Sequence, residues 1–359
     1  IRGNSDATGV ATTSIGPALT ELWTFRTEDS AFEATAAIVD DVVYVGDVDG
    51  TFYALRLDDG SVVWQRSYAD ETITSGEKAL WRRKGLDAGF INGVAVVQGR
   101  IYATDYNGLL RCLDATDGNP IWTLNADAEL YAAPNVHDGR VLLVTERGEL
   151  LSIDADNGEV KWTFAIDQPL RCWPTVAGGR ALVAGCDARL YAVDLETGKA
   201  AENVEIAGPP DSMPAVRGEH VYFCTAGGMF YAMSLAPLAE AWKFRHPGQG
   251  EQLHGAAVTE DAVILGTHNK KVVSLELQTG DENWSFPVRS RVESSPVAAG
   301  GLALFGTIRG RFYAVDIRTG EEVFQYQAGG RFVASPAVSD GRLIIGNEDG
   351  TLYCFGTSE

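Results

Sequence analysis

A repeat constrains this chain more than any other feature. Aligned segments begin around Ala36, Val94, Pro134, Pro174, Pro214, Ala256, Pro296 and Pro336; six of the seven intervals are 40 or 42 residues, and the first is 58. A unit of that length cannot bury its own apolar faces and packs only against neighbouring copies, so the period overrides the two or three domains that 359 residues would otherwise suggest.

Each unit reads as four short strands with alternating apolar and polar residues and turn signals between them. The hairpin between the second and third strands is Asp49-Gly50, Asn107-Gly108, Arg147-Gly148, Gly227-Gly228, Arg309-Gly310 or Asp349-Gly350, with Asp187-Ala188 and Asn269-Lys270 in the remaining two units. Gly and Asn tolerate the positive φ that two-residue hairpins demand. After the third strand comes a turn glycine, and four residues beyond it a large aromatic: Trp64, Trp122, Trp162, Trp284 or Phe324. Trp242 shares that column although its turn, LAPLAEAW, lacks the glycine; Glu202 is the one departure from an aromatic. The eighth unit ends before its fourth strand, and Leu22-Trp23-Thr24-Phe25 near the N-terminus matches the missing piece. The expected fold is therefore all-β: an eight-bladed β-propeller over residues 21–359, its four-stranded antiparallel blades closed into a ring by the N-terminal strand. Residues 1–20 are small, polar and aperiodic and read as a flexible tether; the long first interval marks an insertion over about 67–92.

Charge narrows the partners. The formal net charge is −20, which makes nucleic acid and anionic membrane surfaces unlikely partners for the body of the chain. Only seven of the 29 basic residues are lysines, and a lysine-poor acidic surface resembles proteins of salt-loving archaea. No run reaches the roughly 18 apolar residues of a bilayer span. The chain starts at Ile1 rather than Met, so an export signal or lipid anchor upstream of it is expected, with an extracytoplasmic, surface-tethered location. Five cysteines, an odd number without a CxxC pair, argue against a disulfide framework. Cys112 and Cys354 fall in a column otherwise held by Ala and Ser, which makes them packing residues, and Cys186 and Cys224 lie on strands.

The pattern Tyr-Ala-Val-Asp, Thr-Gly, then an aromatic, complete in Tyr313–Phe324, resembles the quinoprotein (PQQ-like) propeller repeat. The resemblance covers residues 22–359. It implies one of two branches: pyrroloquinoline quinone dehydrogenases that use calcium, or cofactor-free scaffolds such as the lipoprotein subunit of the outer-membrane β-barrel assembly machinery. The dehydrogenases resemble one another in a vicinal cysteine pair over the quinone, in longer chains, and in Glu, Asn and Asp calcium ligands. This chain has no adjacent cysteines and no stretch matching those ligand motifs. A non-enzymatic scaffold without cofactor is the first reading, and a PQQ- and calcium-dependent dehydrogenase of alcohols or sugars the alternative.

Strand order places the loops that precede each inner strand around one mouth of the central channel. Three positions before each aligned residue stand Glu33, Ile91, Tyr131, Arg171, Asp211, Leu253, Glu293 and Val333, with Glu129, Glu251, Arg291 and Arg331 two positions further back. These form either a solvated rim or a contact surface. Trp173 opens the fourth inner strand where other units carry small residues or Met, so it either packs against a neighbouring blade or floors a pocket. Trp81, Arg82 and Arg83 form a basic-aromatic cluster inside the insertion, the composition of a binding hot spot. His246, His254 and His268 map to the same face as conceivable ligands of a zinc-like ion, in a spacing that matches no established metal motif. No phosphate loop, nucleophile elbow or catalytic constellation is present in the sequence. The expected partner is a protein or an extracellular ligand meeting the mouth and the 67–92 loop.

Overall fold

A computed structural model describes residues 6–68, 89–246 and 255–357. Among these residues the chain is all-β: thirty-two strands form eight four-stranded antiparallel sheets arranged as an eight-bladed propeller. The third blade is typical, running from the channel outward as Asn135–His137, Arg140–Val144, Glu149–Asp154 and Val160–Ala165. Its two middle strands are almost wholly buried, because both of their faces meet neighbouring blades. Its outer strand alternates exposed and half-buried residues. The core consequently lies between blades. One cluster joins Tyr102, Leu110 and Cys112 of the second blade to Val141, Leu143 and Ile153 of the third.

The ring closes as the repeat requires. Thr20–Arg26 pairs antiparallel with Thr351–Gly356, setting Trp23 opposite Cys354. The two hairpins without glycine hold Ala188 and Lys270 at φ of 60° and 59°. Inside six of the eight hairpins a short polar side chain caps the turn. Asp47, Asp105 and Asn347 accept from the amides of Thr51, Leu109 and Thr351, and Thr145, Thr267 and Thr307 do the same in their blades.

The aromatic column explains the turn glycines. Each Trp indole leans onto the next blade and donates from Nε1 to a carbonyl there: Trp23 to Leu57, Trp64 to Ala115, Trp122 to Ala155, Trp162 to Leu195, Trp242 to Leu277 and Trp284 to Ile317, at 2.8–3.1 Å. The ring then covers that blade's turn glycine. A Cβ at Gly118 would stand 2.6 Å from the Trp64 ring, and one at Gly280 2.5 Å from Trp242. Between the fourth and fifth blades both partners are missing. Glu202 replaces the indole, accepting from Arg180 at 2.7 Å and from the Leu238 amide at 2.8 Å, and the fifth blade's turn dispenses with glycine. The two sequence anomalies are one structural event.

The N-terminal segment departs from the sequence expectation. The described part of the presumed tether is packed along the channel. The carbonyls of Asp6, Thr8 and Gly9 accept from the amides of Val216, Val258 and Ala298, and the Ala11 amide returns to the Ala298 carbonyl, all at 2.7–2.8 Å. Ala7, Thr8, Ile15 and Leu19 are buried. The physical reason is that inner strands are sheet edges whose outward N–H and C=O groups need partners, and an aperiodic small-residue segment fits there without steric conflict.

Candidate functional site

The strand order puts the hairpins between second and third strands on the same face as the loops leading into each inner strand. There the channel opens into a cavity of about 250 Å³. Its lining includes Glu33, Ile91, Arg171, Trp173, Asp211 and Val333, so six of the positions picked out by the repeat converge on one space, with Cys172, Ser212 and Met213 between them. A second cavity, of about 300 Å³, lies below and is walled by the inner strands together with Ala11 and Thr12.

Trp173 has a place in both expectations. It packs against the apolar cluster between the third and fourth blades and also lines the mouth. Its ring reaches across to the second blade, where a Cβ on Gly93 would lie 3.0 Å from Cη2. The indole therefore forms part of the wall of the mouth cavity, with Gly93 leaving room for its far edge.

The two carboxylates of the lining, Glu33 and Asp211, are unlike their neighbours. Neither makes a hydrogen bond or ion pair with a described residue, and Asp211 Oδ2 is fully enclosed. Burial raises the Asp211 carboxyl above its ordinary value, partly countered by His268. Burial also raises Glu33, helped by the charge of Glu348 and opposed by Arg331. Other rim carboxylates are paired. Arg171 grips Glu146 through Nε and Nη2 at 2.7 and 2.8 Å, and Arg331 meets Glu293 at 2.8 Å and Glu348 at 3.5 Å. Arg291 approaches Glu293 at 3.9 Å.

On the rim above the second to fourth blades the Arg171 guanidinium also lies 5.6 Å from the centre of the Tyr131 ring. Tyr131 meets Tyr106 edge-on, their hydroxyls 2.7 Å apart, and donates to Glu129 at 3.1 Å. In this Tyr106–Tyr131–Arg171 platform Tyr131 and Arg171 are exposed and Tyr106 is half-buried beside them, and the aromatic-arginine composition is that of interface anchors. Tyr106 was not identified from the repeat because it lies on a hairpin rather than in the loop column that was read.

The hot-spot residues proposed in the insertion, Trp81, Arg82 and Arg83, lie outside the described residues, as do Glu251, Leu253 and His254. The described ends of the insertion are firmly placed. Tyr68 and Phe90 are fully buried, their rings 6.0 Å apart, and the Arg111 guanidinium lies 5.3 Å from one ring and 5.9 Å from the other. Arg111 bonds Asp105 at 2.7 Å, both side chains 1% exposed. A signal existed for this pair: Arg111 is the only charged residue in a column of Tyr, Leu and Val.

His246 is buried and its amide donates to Gly228, while His268 stands near Asp211. Among the described residues no three His, Cys, Asp or Glu side chains converge as a metal set. The described lining also does not fit a calcium-held quinone: its carboxylates come from opposite sides of the mouth, and a quinone that itself carries carboxylates would face Glu33 and Asp211. The cysteines are buried thiols apart from Cys186, which is partly exposed. Burial pushes Cys112 up to about 11 and Cys354 up to about 12, and raises Cys172 further.

Comparison with known proteins agrees with this architecture. A family model described as outer membrane protein assembly factor BamB matches residues 18–79, 74–210, 165–295 and 288–358. BamB of Salmonella typhimurium is 32% identical over 103 residues, 28% of this chain and 24% of that protein. The quinohemoprotein alcohol dehydrogenase ADH-IIG of Pseudomonas putida is 29% identical over 109 residues, 30% of this chain and 14% of that protein. The matched stretches thus span a quarter or less of those relatives. Among solved structures, BamB from Moraxella catarrhalis superposes with a TM-score of 0.75 at 18% identity, covering 95% of this chain and 98% of that one. Quinohemoprotein alcohol dehydrogenase from Comamonas testosteroni gives 0.79 at 16% identity, covering 100% and 80%. At these identities the structural likeness speaks for the fold alone. With the family model matching nearly the whole repeat region, the chain belongs to the PQQ-repeat propeller family described as outer membrane protein assembly factor BamB.

Proposed function

We propose that this chain is a non-enzymatic, extracytoplasmic binding scaffold that docks another protein on the mouth face of the propeller. The observation that carries the reading is the Tyr106–Tyr131–Arg171 platform, which exposes Tyr131 and Arg171 on the rim, with 2.7 Å between the tyrosine hydroxyls and 2.7 Å from Arg171 to Glu146. Aromatic and arginine side chains held in place before binding lose little conformational freedom when a partner covers them. The returning end of the insertion meets the same hairpin, since the Tyr106 amide donates to the carbonyl of Gly89. The test is affinity capture from the source cells' envelope fraction with wild-type protein and with Tyr131→Ala/Arg171→Ala and Trp81→Ala variants. Loss of a specific partner by the variants, at unchanged melting temperature, supports the reading; an identical captured set refutes it.

A second reading, a quinone-dependent dehydrogenase, draws on Trp173 in the wall of the mouth cavity and on the dehydrogenases among the similar proteins. Titration with pyrroloquinoline quinone and calcium in high salt separates the two: saturable one-to-one binding promotes the enzyme, and none in folded protein leaves the scaffold.

A further inference from the structure

From the geometry of the mouth we infer that the cavity lined by Trp173 is a receptor for one organic cation, an ammonium or guanidinium group, paired with Asp211, while Glu33 adds negative charge from the opposite side of the mouth. This goes beyond the docking reading and does not depend on it. Three observations meet here. The cavity, about 250 Å³, is large enough for a lysine-sized group and is walled by apolar Ile91, Met213 and Val333. The Trp173 indole lines it, and an aromatic face attracts a cation brought within about 6 Å of the ring centre. The two carboxylates of the lining have no hydrogen-bond or ion-pair partner among the described residues.

The contrast with the rest of the rim supplies the argument. Glu146 and Glu293 each hold an arginine, at 2.7 and 2.8 Å. Arg171, the one arginine in the described lining, is turned to Glu146 and lies over Tyr131, so its charge is already engaged. A part-buried carboxylate without a partner is costly to a folded protein, and an incoming cation supplies the missing partner. His268 stands near Asp211, and Glu348 and Arg331 act on Glu33 in opposite senses. An anionic ligand would meet two carboxylates and gain nothing from the indole face.

The same chemistry has two sources, a free small amine or the lysine or arginine side chain of a docked protein, and the experiment has an arm for each. Full-length protein is titrated calorimetrically, at constant ionic strength, with n-butylammonium, n-butylguanidinium and tetramethylammonium chlorides, with butyrate as the anionic control. The second arm uses the peptide acetyl-Gly-Ser-Gly-Lys-Gly-Ser-Gly-amide and its norleucine analogue. Saturable one-site binding of at least one small cation or of the lysine peptide is expected, with none for butyrate or the norleucine peptide. Asp211→Asn and Trp173→Leu should each weaken it about tenfold or more, and Glu33→Gln several-fold. A lysine peptide that binds more tightly than butylammonium identifies a partner side chain as the natural cation; the reverse order identifies a small amine. Asp211→Asn and Glu33→Gln are near-isosteric and remove unpaired charges, so both should fold even if Trp173→Leu does not. Absence of saturable binding by any cation or by the lysine peptide, or binding unaltered in Asp211→Asn and Glu33→Gln, overturns the inference. Neither result bears on partner capture by the Tyr131 and Arg171 platform.

Discussion

Substituting Gly118 by Ala tests whether the ring is held by indole-on-glycine contacts between blades. Gly118 has φ of +72°, and a Cβ there would sit 2.6 Å from Trp64 Cζ3. An L-residue in the left-handed region costs about 1–2 kcal/mol. The added carbon is also roughly 1 Å inside normal carbon–carbon separation, which in a packed site costs about 1–3 kcal/mol. Trp64 cannot tilt away freely, because its Nε1 donates to Ala115 at 2.9 Å. Reduced freedom of the unfolded chain returns about 0.4–1 kcal/mol. The expected net loss is about 1–4.6 kcal/mol, measured by urea unfolding at fixed salt. Gly139 is the internal control: its φ is +71° but a Cβ there meets nothing within 4 Å, so Gly139→Ala should show the backbone cost alone. In a Trp64→Leu background the steric part of Gly118→Ala should vanish, leaving a coupling of about 1–3 kcal/mol. Equal losses at Gly118 and Gly139, or a coupling below about 0.5 kcal/mol, would refute the reasoning.

Other perturbations test other parts of the molecule. Arg111→Met should cost about 3–5 kcal/mol in urea unfolding, because it strands the buried Asp105 charge, and adding Asp105→Leu should recover much of that loss. Glu202→Ala should lower the melting temperature at neutral pH. The Leu238 amide and Arg180 hold the Glu202 carboxyl below its ordinary value, so its stabilisation exists above the unfolded pKa and is lost as pH falls through the lowered one. The wild-type advantage should therefore shrink toward acid, and a pH-independent difference in thermal scans would count against the latch. Asp211→Asn should raise the melting temperature at pH 7. The folded state holds the Asp211 proton more tightly than the unfolded chain, so wild-type stability declines as pH rises from about 4 through the raised value, and the variant should lack that decline. Ellman's reagent applied to native protein at pH 8 should leave Cys112, Cys172, Cys224 and Cys354 unmodified, with Cys186 the first to react; rapid labelling of Cys112 would contradict its burial.

The ring was legible because period and turn chemistry act locally and repeat. The Gly-containing hairpins, the aromatic four residues after the turn and the unfinished eighth unit each dictate a structural consequence. The mouth was legible for the same reason, since equivalent loop positions in a closed ring must face one another. Exceptions were harder to read. Glu202 and the glycine-free turn before Trp242 stood out separately in the sequence. Only the structure shows that the indole of one blade is the reason for the glycine of the next, so losing one removes the need for the other. The N-terminal segment misled because its composition resembles a linker. Its order comes from backbone groups on the inner-strand edges, to which side-chain composition gives no clue. The Arg111–Asp105 pair lay in columns that were visible, but it stabilises the base of an insertion outside the repeat.

The acidic charge is distributed in a way that bears on which face meets a partner. Short hairpins and turns on the side away from the mouth carry an exposed carboxylate in every blade: Asp40, Asp117, Asp156, Glu196, Glu219, Asp261, Glu321 and Asp340. Many of these turns use the carboxylate locally. Asp117 accepts from the Asn119 amide, and the half-exposed Asp154 and Asp316 accept from Asp156 and Arg318. Two of these carboxylates, Asp156 and Glu196, also hold arginines of the preceding blade, Arg100 and Arg140, at 2.8 and 2.7 Å, so turn chemistry sets exposed carboxylates on that face and arginines neutralise part of them. On the mouth face, arginines at 171, 291 and 331 alternate with the glutamates they contact, so the rim presents both signs within short distances. A surface of that kind can exchange ion pairs with a partner without gathering one unscreened charge, and it surrounds the only described carboxylates of the mouth cavity that remain unpaired. What sets the mouth apart is therefore its two part-buried carboxylates without a described partner, in a chain whose net charge of −20 already disfavours uncompensated negative charge, and the cation titration is aimed at them.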